Sequence, residues 1–99
     1  MITFTLQLPP LTEEQQFQLE EALLKVPRVD AFGVEPDSGF FVVTTAKETL
    51  HDMAATLYSW ASNYTGMLLL TAVACNDRAP MILGKHSPND VIHYLASCS

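Results

Sequence analysis

Basic residues are scarce in this sequence: 5 Lys and Arg stand against 11 Asp and Glu, for a formal net charge of -6. A nucleic-acid backbone is gripped by clustered cations, so direct nucleic-acid binding is not expected. The surplus of acid suits a protein partner with a basic surface, or plain solubility. Charge of either sign is thin, at 16% of residues, while apolar residues make up 48%. That balance excludes disorder. It also leaves a small domain short of charge for its surface, so some neutral surface is expected to be hidden in an oligomer or complex.

Long apolar runs are missing too. The longest, 67–75, is broken by Thr71 and is about half a membrane span, so no membrane association is expected. Residues 1–11 alternate, lack a basic start and contain Pro9 and Pro10, which does not describe a targeting segment. A cytoplasmic protein is the expectation. The 2 cysteines, Cys75 and Cys98, form no CxxC. Free thiols are expected, with a Cys75–Cys98 bridge as the alternative. Gly33, Gly39, Gly66 and Gly84 are scattered and make no phosphate-cradling loop.

The elements are legible from periodicity. Ile2, Phe4, Leu6 and Leu8 alternate with Thr3, Thr5 and Gln7, the pattern of a half-buried strand. Thr12 with Gln15 forms a capping box, and Glu13 and Glu14 follow in the first turn. This helix runs to about Val26, with Leu19, Ala22, Leu23 and Val26 as its core stripe. Strands over 29–35 and 40–45 flank a turn at 36–39 and form an antiparallel hairpin. A second helix starts at Thr45 or Ala46 and runs to about Tyr64, with Leu50, Met53, Ala54, Leu57, Ala61 and Tyr64 inward and Tyr58 and Trp60 beside them. Residues 67–75 read as a fourth strand and 80–84 as a short edge strand, confined there by Pro80. Ser87, Pro88 and Asp90 open a last helix as N-cap, N1 and N3. Val91, Tyr94, Leu95 and Cys98 form its apolar side.

The order β-α-β-β-α-β followed by β-α predicts an α+β, ferredoxin-like sandwich over 1–76 with a C-terminal β-α extension over 77–99, all in one domain.

At 19–43, a helix ending in Ala22-Leu23-Leu24-Lys25-Val26-Pro27-Arg28-Val29, an acidic strand and the turn Pro36-Asp37-Ser38-Gly39 resemble heavy-metal-associated domains, the copper-chaperone family. The resemblance implies the same sandwich. That family carries a CxxC just before the first helix, where this chain has Pro9-Pro10-Leu11-Thr12. Without those thiolates the metal function does not carry over, and neither a metal nor a cofactor is expected.

Catalytic constellations are weak. His51, His86 and His93 lack another His or Cys at i, i+4 and read as surface histidines. Cys75, Asn76, Asp77 and His86 could gather as a Cys–His site only if tertiary structure brings them together. The pairs Glu13-Glu14 and Glu20-Glu21 suit a helix start and a solvated face.

Three surfaces remain for partners. Phe17 and Leu24 share the helix face opposite Leu19, Leu23 and Val26, rimmed by Glu13, Glu20 and Glu21, as an interface would be; alternatively the last helix packs there. The third and fourth strands are apolar on both faces, so the C-terminal β-α unit or a second copy is expected to cover the back of the sheet. Ala55, Thr56, Ser59, Ser62 and Asn63 make a small, quiet face on the second helix. The expected function is therefore a non-enzymatic, self-associating interaction module: an adaptor, regulator or inhibitor that docks a protein partner. The alternative is a small dimeric ferredoxin-like enzyme or ligand-binding domain with a pocket at the sheet face, using His51, His86, Asp77 or Tyr64.

Overall fold

The structure is a computed structural model that describes residues 2–27, 29–35, 40–75 and 78–98, and at 29–35, 40 and 41 the backbone alone. It comprises β1 (Ile2–Gln7), α1 (Glu13–Leu24), β2 (Val29–Glu35), β3 (Phe40–Thr45), a 3-10 turn (Lys47–Thr49), α2 (Leu50–Ser62), α3 (Met67–Leu70), β4 (Ala72–Ala74), β5 (Met81–Ile82), a second 3-10 turn (Leu83–Lys85) and α4 (Pro88–Ala96). The strands form one mixed α+β framework with sheet order β2-β3-β1-β4-β5. Each pairing is antiparallel.

Register turns the alternation of β1 into two chemically different faces. Phe4 stands opposite Val43, Ile2 opposite Thr45 and Leu6 opposite Val73, and all six side chains are buried. On the other face, Thr3 pairs with Thr44, and their hydroxyls share a hydrogen bond of 2.9 Å. Thr5 lies between Val42 and Ala74, and Gln7 is opposite Ala72.

The helices cover the first face. Thr12 and Gln15 exchange the expected capping bonds, Gln15 N to Thr12 Oγ1 at 3.1 Å and Thr12 N to Gln15 Oε1 at 3.0 Å. Leu19, Leu23 and Val26 are buried. From α2 come Leu50, Met53, Ala54, Leu57 and Ala61, and from α4 Val91, Tyr94 and Leu95. These residues join Phe4, Leu6 and Val73 in one continuous core cluster, Ala54 lying buried beside it. Trp60, expected beside the stripe, is buried as well, and its indole Nε1 donates to Gln15 O at 3.1 Å. That bond satisfies the indole N–H and ties α2 to the first turn of α1.

Three expectations change. The second helix begins later, because Thr45 belongs to β3 and faces the core. Ala46 stays extended, the 3-10 turn follows, and a buried bond of 2.8 Å joins the hydroxyls of Thr45 and Thr49. The expected fourth strand over 67–75 is split. Gly66 takes a left-handed φ of 77°, residues 67–70 coil into α3, and only Ala72–Ala74 pair with β1. Met and Leu are strong helix formers, and an unbroken apolar run does not separate helix from strand. Consequently β4 keeps only Val73 inward and the small Ala72 and Ala74 on the other face, and the leucines of 68–70 do not belong to the sheet. Finally, the C-terminal unit does not cover the back of the sheet. β5 extends the sheet edge, while α4 packs against α2 and β1 on the core side. The back face is left open, with Thr3 exposed and Val42 40% exposed.

Candidate functional sites

The outward face of α1 is free. Phe17 is 58% and Leu24 67% exposed, although both are large and apolar. Glu13 and Glu21 are exposed beside them, and Glu20 is half-buried, accepting from Gln16 Nε2 at 3.3 Å. The helix therefore presents an apolar pair in a carboxylate rim, as the heptad-like spacing requires. The alternative cover, the last helix, is placed elsewhere, on α2. Glu21 also lines a cleft of about 340 Å³ between the two helices, with Gln18, Ala22 and Lys25 on α1 and Ala55, Thr56 and Ser59 on α2. Of the small residues expected to form a quiet face, Ala55, Thr56 and Ser59 are one wall of that cleft, while Ser62 and Asn63 are exposed beyond it.

A second site lies at the C-terminal end, where one loop is tied to one helix. Cys75, at the end of β4, is disulfide-bonded to Cys98, just beyond α4, with their Cα atoms 6.0 Å apart. The expectation of free thiols is thus corrected: β4 and the end of α4 converge in space, which their separation of 23 residues conceals. The expected Cys–His pairing is lost with it, since a bridged sulfur is no nucleophile; Asn76 and Asp77 lie outside the described residues.

Tyr94 does the rest of the tying. Its hydroxyl donates to Ala79 O at 3.0 Å and accepts from Cys75 N at 3.2 Å. Arg78 lies with its guanidinium carbon 4.4 Å from the centroid of the Tyr94 ring. One guanidinium nitrogen donates to Tyr94 O at 3.2 Å and also to Ser97 Oγ. A cation thus meets the carbonyl end of α4, where the helix dipole favours it. Sequence reading missed both residues. Their signal is positional: Arg78 follows Cys75 by one turn and Tyr94 precedes Cys98 by one helical turn, so the bridge brings them together.

Facing them is the start of α4. Ser87 and Asp90 form the expected capping box, with Ser87 N donating to Asp90 Oδ2 at 3.0 Å and Asp90 N to Ser87 Oγ at 3.2 Å. Hydrogen bonding to the carboxyl from the Ser87 backbone N–H and then from the Ser87 side chain, helped by the nearby His86 and His93, holds Asp90 below the usual carboxylate range. His86 Nδ1 is 4.0 Å from Asp90 Oδ2. The Tyr58 hydroxyl is within 2.8 Å of both Leu83 O and His86 O. Burial, and then the charge of Asp90, push its ionisation up. His51 is exposed on α2 and Tyr64 packs edge-on to Trp60; neither joins this group. Among the described residues no cluster of His, Cys, Asp or Glu could hold a metal ion, and no helix is long and apolar enough to cross a membrane.

One more apolar pair is exposed where none was expected. Leu69 and Leu70 are 59% and 60% exposed on α3. Their turn is pressed onto Gly84, where a Cβ would meet the Leu68 carbonyl carbon at 3.0 Å. No family model, curated protein or solved structure matches this chain.

Proposed function

We propose that this protein is a non-enzymatic interaction module, an adaptor, regulator or inhibitor, that docks a basic protein surface through α1. One observation carries the reading: Phe17 and Leu24 are exposed together, in a rim of Glu13, Glu20 and Glu21, while α4 packs on α2. Burying each of the two side chains contributes about 1.5–3 kcal/mol. The carboxylates would steer the approach of a cationic partner and disfavour an acidic one. The test pairs the wild type with the double variant Phe17→Asp/Leu24→Asp. Partners captured by the wild type are purified and their affinity for both forms is measured at rising salt. Loss of binding in the variant, with a salt-sensitive association rate in the wild type, is expected. Equal binding by both removes α1 from the role.

The sheet order with helices between β1 and β2 and between β3 and β4 supports a ferredoxin-like sandwich extended by β5 and α4. Among the described residues of the back face, Thr3, Thr5, Gln7 and Val42 are uncharged, which supports a second copy as its cover, so native mass should report a homodimer. A cytoplasmic location is retained as part of the proposal. Its test is the state of Cys75 and Cys98 after rapid alkylation in cell extract, since a bridge persisting there would place the protein in an oxidising compartment instead.

A further inference from the structure

The C-terminal cleft is a gathering of cationic and protonatable groups in an otherwise acidic chain. It is an open, shallow cleft of about 500 Å³ lined by Arg78, Met81, His86, Asp90, His93, Tyr94 and Ser97. We propose that it binds a phosphate group, free or as a monoester, with Arg78 as the principal ligand and His86 and His93 as further donors.

Three features carry this. Arg78 is positioned before any ligand arrives, stacked on Tyr94 and tied to the end of α4, while its loop is anchored by the bridge and by the Tyr94 hydroxyl. Only one of its guanidinium nitrogens is engaged in those bonds. A guanidinium has five N–H donors in a planar fork, so donors remain for an oxyanion. Among the described residues no carboxylate forms an ion pair with Arg78. The second feature is the pair of histidines on the facing wall. Each becomes a two-fold donor when protonated, and a phosphate accepts from several directions at once, which a carboxylate does less well. The third is Asp90. It is committed to Ser87 and lies beside His86, so it holds that side of the cleft in place and also sets a limit on affinity for an anion.

The experiment is an amide NMR titration of the oxidised full chain with inorganic phosphate at constant ionic strength. Saturating shifts at Arg78, Met81, His86, His93 and Ser97 are expected. Arg78→Lys keeps a cation at the end of α4 but loses the fork, and should weaken binding about tenfold. His93→Gln, which leaves the Arg78 contacts intact, should weaken it several-fold. Asp90→Asn should tighten it. Phosphoserine should move the same amides as phosphate if a phosphorylated side chain is the source, while phosphate alone doing so would mark a free-phosphate site. Non-saturating shifts, shifts centred elsewhere, or an unchanged affinity in both Arg78→Lys and His93→Gln overturns the proposal.

Discussion

Helices α1 and α4 start the same way and end differently. Each opens with a capping box, Thr12 with Gln15 and Ser87 with Asp90. Each buries one stripe against the shared core. At its C-terminal end, however, α4 meets Arg78 and the Cys75–Cys98 bridge, while α1 has no basic residue in its last turn. Outward, α4 presents polar groups such as Asn89, Asp90 and His93, whereas α1 presents Phe17 and Leu24. The contrast separates two uses of a helix. The shorter one is fastened at both ends and gives its apolar residues to the core. The longer one keeps apolar residues that the core does not use, and those are available to a partner.

The comparison breaks most readily in the core that both helices share. Leu95→Ala on α4 and Leu19→Ala on α1 truncate fully buried side chains and should each cost about 2–5 kcal/mol in denaturant unfolding. A much smaller loss at Leu19 would mean that α1 is docked less tightly than its burial implies.

Opening the bridge comes next. The double variant Cys75→Ser/Cys98→Ser should lose about 2–4 kcal/mol. Amide exchange should accelerate in α4 and in the loop at 78–80 while α1 is unaffected. Equal acceleration in both helices would show that the bridge stabilises the whole chain rather than one end of it.

The caps sharpen the comparison at about 1 kcal/mol for each of Thr12→Ala and Ser87→Ala. Asp90→Asn, more than either cap variant, should alter the acid limb of stability, because Ser87→Ala keeps the backbone N–H. The Asp90 carboxyl is held below its ordinary value by Ser87, and chiefly by the backbone bond. Its ionised form is therefore favoured in the native state. The stability it adds is fully present above the unfolded carboxylate value of about 3.9 and is lost as pH falls toward the lower folded value. Melting temperature against pH between about 2 and 5 should flatten in Asp90→Asn.

The smallest stability effect belongs to the α1 surface. Phe17→Asp/Leu24→Asp should change unfolding free energy by no more than about 0.5 kcal/mol per site, while removing partner binding. A large destabilisation would mean that these side chains serve the fold.

Local sequence determined the starts of α1 and α4, the alternation of β1 and the α1 stripe, because capping and periodicity act over a few residues. Thr12, Ser87, Phe4 and Leu19 could each be read with their near neighbours alone. The exposed face of Phe17 and Leu24 followed from the same helical spacing. What 67–75 would become was not legible. The run Met67-Leu68-Leu69-Leu70 suits a strand or a helix, and only the available pairing positions on β1, which take Ala72–Ala74, divided it. The same holds for Cys75 with Cys98, for Arg78 over Tyr94 and for the side of the sheet on which α4 lies. Those depend on residues distant along the chain being brought together by burial of a common core, a condition that propensity and spacing do not encode.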